Sequence, residues 1–389
     1  MMNELAGIGI ILLFGLLSAK LLRMIKLPSV TAYLILGVAL GASVFNIIPA
    51  SIINASGGVS NFVLGLVAFS IGRNLNRENI SILGSQVLWI SIFESLGSFL
   101  VITVLFLLLG KPFSIALVFG AIAIAAAPDA ILVIVREYKA KGPLTNTLLG
   151  VVAVNTAWCF VIFSLSLPIS KAVYFNPADL SLLPKVMGVT LIHIIGSFFL
   201  GVVMAFLIRW IGRILTNPEE VLILTVGFIF LAVGVSIYFD LSGLLTCMAF
   251  GAALANMKTP TDYYFESLQR IDGLIFLFFF VLAGANLEID YLGKIGVIGV
   301  LYLIFRVLGK MGGVYLGGNI AGAGRTVKKY LGLGLAPQAG LALGCALVAK
   351  AEFPEIGGLV LNTIIATTVI YQIFGLLGTK YALYKAGEI

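Results

Sequence analysis

Long apolar runs recur along almost the whole chain, and this feature most constrains its fold. A helix of roughly 20 apolar residues crosses the hydrocarbon core of a membrane. Because lipid offers no hydrogen-bond partners, such runs fold as helices that bond their own backbone. Only 11% of the 389 residues are charged, whereas a soluble domain has roughly a quarter. The sequence therefore predicts an all-α polytopic membrane protein.

Dividing the chain at Gly, Pro and charge clusters gives about thirteen transmembrane spans. They lie near residues 5–22, 28–45, 58–72, 83–109, 112–135, 143–170, 183–208, 219–238, 241–257, 271–287, 295–321, 330–349 and 355–379. Residues 1–389 are thus predicted to form a single membrane unit without a separate soluble domain. The net charge of +7 belongs to loops, so we do not expect a nucleic-acid partner.

Lys and Arg are unevenly distributed over the loops between these spans. With the N-terminus outside, most of them lie on the cytoplasmic side, for example Arg209, Arg213, Lys328 and Lys329. Cytoplasmic loops of membrane proteins carry this excess. We therefore predict an integral protein of the plasma (inner) membrane with its N-terminus outside and its C-terminus in the cytoplasm.

Segments in the first half have partners in the second half, in the same order. The offset stays between 207 and 214 residues, for the pairs 37 and 251, 72–75 and 284–287, 94 and 306, 127–130 and 336–339, and 155–156 and 362–363. Paired spans are an odd number of crossings apart, so the two copies have opposite orientations. We predict an inverted structural repeat, with repeat one at about 28–170 and repeat two at about 241–379.

Two Ala-Pro-x-Ala motifs lie in mid-span at equivalent places of this repeat. They contain Pro128 followed by Asp129, and Pro337 followed by Gln338. A proline removes a backbone donor and clashes with the preceding turn, so both helices are predicted to be broken. Broken helices that cross in an inverted repeat present polar half-helix ends to a solute. The alternative is that each proline makes an ordinary kink.

Few charged residues fall deep within a span, namely Glu94, Asp129, Arg306 and Lys310. Each is a candidate for function because a charge in the bilayer centre is costly. Asp129 is suited to bind a cation or carry a proton, or else it only caps a half-helix. Arg306 and Lys310 share a helix face. They are predicted to pair with Glu94 or to neutralise half-helix ends, and a purely structural ion pair is the alternative.

Several motifs together resemble the monovalent cation/proton antiporters, the sodium/proton exchanger group. They are the stretch from Leu27-Pro28 to Gly41, the block from Ala127 to Gly150, the span containing Lys310, Gly313 and Gly317, and the stretch 332–343. The resemblance implies a thirteen-helix homodimer that exchanges protons for Na⁺, K⁺ or Li⁺ by an elevator-like movement. Its moving core would comprise about 58–170 and 271–379, and its scaffold about 5–45 and 183–257.

The chain departs from the family pattern at two neighbouring places. Most such antiporters carry a carboxylate where this chain has Thr156 after Asn155, and relatives usually have Ala or Thr where it has Asp129. The comparison implies that the titrating acid has moved. Asp129 would then bind cation and proton in competition, with neutral oxygens from Asn155 and Thr156 and with Lys310 as the family's basic residue.

We therefore expect a secondary active transporter that exchanges a monovalent cation, Na⁺ or K⁺, for H⁺. The alternatives are a transporter of the same architecture for a small anion and a passive variant. The sequence contains no nucleophile–base set, metal cluster or cofactor fingerprint, so we predict no enzyme activity, no cofactor and no metal besides the transported cation.

Overall fold

The computed structural model of the protein describes residues 3–24, 29–41, 43–54, 56–175, 183–215, 217–258, 261–287 and 290–389. These ranges are helical and contain no strand. In chain order the helices are α1 (Glu4–Met24), α2 (Ser29–Leu40), α3 (Ala50–Asn54), α4 (Ser56–Gly72), α5 (Arg77–Leu108), α6 (Phe113–Ala123), α7 (Pro128–Glu137), α8 (Pro143–Phe175), α9 (Leu183–Gly212), α10 (Pro218–Tyr238), α11 (Gly243–Ala255), α12 (Asp262–Ala285), α13 (Asp290–Ile320), α14 (Arg325–Gly334), α15 (Gly340–Glu352), α16 (Pro354–Ile370) and α17 (Leu376–Lys385). A π-helical turn, Tyr371–Gly375, joins α16 to α17.

Within the described ranges, eight helical segments are long and apolar enough to cross a membrane. They are Glu4–Leu22, Gly84–Leu108, Pro143–Phe175, Pro184–Gly212, Pro218–Tyr238, Asp262–Ala285, Gly296–Ile320 and Pro354–Lys385. The predicted spans near 112–135 and 330–349 are each divided into two short helices. The all-α class is confirmed, and the number of about thirteen spans stays a prediction.

The chain divides into two compact units. The first contains Met1–Gly57, Leu83–Cys159 and Leu277–Ile389, and the second contains Gly58–Ile82 and Phe160–Phe276. Residues 5–45, which we assigned to a scaffold, fall in the first unit with most of the predicted core. A division by compactness does not test which parts move, so the assignment of core and scaffold stays a prediction.

Glycines bring α5 and α13 of the first unit into backbone contact. Gly309, Gly313 and Gly317 are four residues apart and therefore lie on one face of α13. A Cβ at Gly313 would collide with the carbonyl of Phe93 on α5, and one at Gly309 would lie 2.9 Å from the carbonyl oxygen of Gly97. This small-residue packing brings the polar side chains of the two helices close together.

Equivalent glycines of the predicted repeat make reciprocal contacts. In the first unit, a Cβ at Gly37 on α2 would lie 3.0 Å from the Cα of Gly284 on α12. In the second unit, a Cβ at Gly72 on α4 would lie 2.9 Å from the carbonyl carbon of Gly251 on α11. Each pair joins a helix of one predicted copy to a helix of the other. This supports the inverted repeat, which stays a prediction.

Candidate functional site

Two helix breaks lie in contact in the first unit. The first separates α6 from α7, and Pro128 begins α7 at a position where no backbone donor is needed. The second separates α14 from α15 and contains Pro337. The amide of Ala127 donates a 3.1 Å hydrogen bond to the carbonyl of Pro337. The helices are thus interrupted next to both prolines, and the two segments touch; that the breaks form a binding site stays a prediction.

Arg306 binds the carbonyls that these breaks leave without helical partners. Its guanidinium donates to the carbonyl of Ala123 at 2.9 Å, to that of Ala336 at 2.8 Å and to that of Ala125. The first and last belong to one break and Ala336 belongs to the other. The guanidinium carbon also lies 4.5 Å from the centre of the Tyr371 ring. Arg306 therefore binds the half-helix ends, and its predicted role in neutralising them stays a prediction.

Lys310 lies one turn further along the same face of α13 and pairs with Glu94 of α5. The ammonium contacts the carboxylate and also donates to the carbonyl of Ile124 at 2.9 Å. Both side chains are completely buried. Of the two predicted basic partners on α13, the structure places Lys310 against Glu94. Whether the pair has a role in transport stays a prediction.

Asn155 of α8 joins this pair from a third helix. Its side-chain nitrogen donates to the second carboxylate oxygen of Glu94 at 2.5 Å. Its oxygen Oδ1 is buried and has no hydrogen-bond partner among the described residues. Thr156 is buried too, and its hydroxyl makes a 3.5 Å hydrogen bond to the carbonyl of Val152 on its own helix. Asn155 thus offers one unused neutral oxygen beside the ion pair.

The predicted acid Asp129 is the second residue of α7, directly after the first break. Its side chain lies outside the described residues. The predicted roles of Asp129 therefore stay predictions. Its position in the chain nevertheless places its backbone next to Ala127, which contacts the second break.

Gln338 of the second break belongs to a group of polar residues that the sequence did not reveal. Its side-chain nitrogen donates to the hydroxyl of Tyr302 at 3.3 Å, and Gln372 donates to its backbone carbonyl at 3.2 Å. Tyr302 could have been found because it lies one turn before Arg306 on α13. Tyr371 and Gln372 carried no signal, because their π-helical turn is not encoded by local spacing.

Charge is scarce in this site. Among the described side chains, those of Glu94, Arg306 and Lys310 are the charged ones without solvent exposure. Glu94 and Lys310 cancel, so the described buried side chains carry one net positive charge, on Arg306. The site therefore combines a neutral ion pair, a cation bound to carbonyls and a free amide oxygen.

Comparison with known proteins shows the same architecture elsewhere. The structure of the sodium proton antiporter MjNhaP1 from Methanocaldococcus jannaschii at pH 8 has a TM-score of 0.77 and 19% identity, and the match covers 99% of this chain and 97% of that one. An electron-microscopy map of the same antiporter gives a TM-score of 0.71 and 20% identity, over 100% of this chain and 99% of that one. These matches identify the fold.

A curated relative points in the same direction. The ammonium/H⁺ antiporter subunit AmhT of Alkalihalophilus pseudofirmus is 22% identical over 337 residues, which are 85% of this chain and 83% of the relative. The family model "Sodium/hydrogen exchanger, transmembrane" matches residues 8–382, nearly the entire chain. The predicted resemblance is therefore confirmed: this membrane protein belongs to the sodium/hydrogen exchanger family of antiporters.

Proposed function

We propose that the protein exchanges a monovalent cation, Na⁺ or K⁺, for H⁺ at the crossing of the two helix breaks. The observation that carries the proposal is the buried Glu94–Lys310 pair, joined by Asn155 beside the first break. A buried ion pair contributes little net stability, whereas intramembrane charges usually serve transport. The name of the curated relative, an ammonium/H⁺ antiporter subunit, adds ammonium to the cations that need testing.

In this proposal Asp129 is the acid for which cation and proton compete. Asn155 supplies its unpartnered oxygen to the cation, and Thr156 supplies its hydroxyl. Oxygen ligands suit hard cations. A bare carboxylate is costly in a low-dielectric barrier, while a protonated or cation-loaded one is cheaper to move. Only loaded states then cross, and this couples the two fluxes.

Lys310 supplies an internal cation for Glu94 in this scheme. The ammonium stays on the carboxylate and on the Ile124 carbonyl, so Glu94 does not carry an unbalanced charge when the transported cation leaves. Pro128, Pro337 and Gln338 keep the breaks open, and Arg306 holds them together. These residues shape the site, and we do not assign them as ligands of the transported cation.

We also propose the larger movement that the family resemblance implies. A core of about 58–170 and 271–379 would move as an elevator against a scaffold of about 5–45 and 183–257 in a homodimer. The protein would lie in the plasma membrane with its N-terminus outside and its C-terminus in the cytoplasm. The excess of Lys and Arg on the cytoplasmic side supports this orientation.

Transport of a small anion is the second candidate, since Arg306 adds a positive charge. Three donors of its guanidinium already bind carbonyls, and its face lies on the Tyr371 ring. These contacts leave few guanidinium donors for an anion, and they favour transport of a cation.

Purified protein in liposomes with an internal pH dye tests the proposal. Addition of Na⁺, K⁺, Li⁺ or NH₄⁺ in turn should produce, for at least one cation, a larger pH change than in protein-free liposomes, which control for NH₃ crossing the bilayer. Asp129→Asn should abolish the difference. A wild-type protein that gives no pH change beyond that of protein-free liposomes with any of these ions would refute cation/proton exchange. Normal exchange by Asp129→Asn would refute the assignment of the acid but not the exchange.

A further inference from the structure

The segment after α17 contacts the start of α8, the helix that carries Asn155. The carboxylate of Glu388 accepts hydrogen bonds from the backbone amides of Leu144 and Thr145, each at 2.7 Å, and from the Thr145 hydroxyl at 2.7 Å. The amide of Lys141 donates to the backbone carbonyl of Glu388 at 3.2 Å. All four bonds lie within the first compact unit.

These bonds have the pattern of a helix N-cap. Gly142 accepts the first helical bond of α8, from Asn146 at 3.0 Å, so Gly142 occupies the N-cap position. A side chain at that position normally binds the next free amides of the helix, and glycine has none. Glu388 supplies the missing acceptor from 244 residues away along the chain. Its negative charge also suits a helix N-terminus.

A glycine on each side of this contact, Gly387 next to Glu388 and Gly142 at the start of α8, allows it to form. Gly387 has φ +71°, and the amides of Gly387 and Glu388 bond to the carbonyls of Tyr384 and Leu383. This is a Schellman turn, which ends α17 and directs Glu388 back along the helix. On the other side, a Cβ at Gly142 would collide with the Glu388 carboxyl. Glycine at this position therefore leaves room for the distant cap.

The cap joins elements that meet at the proposed site. Leu144 and Val152 of α8 share a buried apolar cluster with Leu376 and Leu383 of α17. Val152 lies less than one turn before Asn155, and α17 follows the π-helical turn of Tyr371. A fixed start of α8 thus sets the position of Asn155 relative to Glu94.

We propose that Glu388 is a positioning residue for Asn155, acting through the N-cap that it supplies to α8. The proposal rests on the proposed cation site for its consequence, and the cap itself does not depend on that site. Loss of the cap should let the first turn of α8 fray and move Asn155. We expect the apparent Kd for the transported cation to rise about fivefold, the factor equivalent to the typical loss of one helix cap.

The experiment compares Glu388→Ala with Glu355→Ala, a control that removes an exposed acid from the first turn of α16. Hydrogen exchange reports the cap, and the cation-dependent rise in Tm of the purified protein reports binding. Glu388→Ala should speed exchange at Leu144 and Thr145 and weaken binding, while the control changes neither. The conservative variant Glu388→Gln keeps one uncharged acceptor oxygen at the start of α8 and should retain part of both properties.

Unchanged exchange in Glu388→Ala would overturn the cap. Faster exchange in Glu388→Ala with unchanged cation affinity would overturn the positioning role, as would a Glu388→Gln variant that keeps protection at Leu144 and Thr145 but loses cation affinity. If the wild-type protein bound no cation and moved none, the proposed function would fail, and hydrogen exchange would still decide whether Glu388 caps α8.

Discussion

Removing one member of the Glu94–Lys310 pair should cost far more stability than removing both. Glu94→Gln leaves the ammonium with the Ile124 carbonyl, and Lys310→Met leaves the carboxylate with Asn155 and Ser98. Breaking a buried pair typically costs about 3–5 kcal/mol. The buried charge can instead be neutralised. Neutralising the group costs, at pH 7, about 4.6 kcal/mol for a lysine and about 3.7 kcal/mol for a glutamate with ordinary solution pKa values. These figures are upper limits on the stability lost by leaving the charge unpaired.

The two single variants should respond to pH in opposite directions. In Glu94→Gln the folded protein holds fewer protons than the unfolded chain, so its stability rises with pH by up to about 1.4 kcal/mol per unit. In Lys310→Met the folded protein holds more protons, so its stability falls as pH rises. The double variant has neither charge and should lack both slopes. Its main loss is the bond to the Ile124 carbonyl, about 1 kcal/mol.

Reversible unfolding in mixed micelles at pH 6, 7 and 8 measures this cycle. We expect the double variant to be more stable than the sum of the single losses predicts, by at least about 2 kcal/mol. Additive losses with equal pH slopes for the two single variants would show that Glu94 and Lys310 do not form a buried pair.

Three further changes test other parts of the site. Gly313→Ala adds a Cβ against Phe93 and should lower both stability and transport. The control Gly312→Ala has open space around it and should leave both unchanged. Unfolding and flux measurements compare the two variants. Arg306→Met removes the donor for three carbonyls and should destabilise the protein by about 3 kcal/mol or more, measured by unfolding. Asn155→Asp adds a carboxylate beside Glu94 and should make proton flux depend on an imposed membrane potential; potential-independent flux would contradict this.

The sequence predicted the features that follow from local rules. A mid-span proline breaks a helix whatever surrounds it, so both breaks were accessible at Pro128 and Pro337. The repeat made Glu94 the counterpart of Arg306 on α13, and because a lone charge in the membrane is costly, it favoured an ion pair between Glu94 and a basic residue of α13. Whether Arg306 or Lys310 pairs with Glu94 depends on the register of α5 against α13. The glycines at 309 and 313 set that register only once the two helices pack against each other.

Other contacts could not be read from spacing. The Tyr371 ring reaches Arg306 from a π-helical turn, and the cap from Glu388 joins residues 244 positions apart. The sequence predicts that the side-chain oxygen of Asn155 binds a cation. It does not predict that the side-chain nitrogen donates to Glu94, the contact that leaves this oxygen unpartnered among the described residues. These features arise from tertiary packing, where no local propensity applies.

The carbonyls around Arg306 bear on whether Asp129 is a structural counter-ion or the acid that binds the transported cation. The cations of α13 bind four carbonyls of the breaks, those of Ala123, Ile124, Ala125 and Ala336. Carbonyls at the end of a helix carry the negative end of its dipole, so Arg306 has compensation without a carboxylate. Asp129 is then not needed as the counter-ion of Arg306. The variant Asp129→Asn should therefore stop exchange but unfold at the same denaturant concentration as the wild-type protein. If Asp129→Asn instead lost as much stability as Arg306→Met, Asp129 would be a structural partner of Arg306 and the transported cation would need another acid.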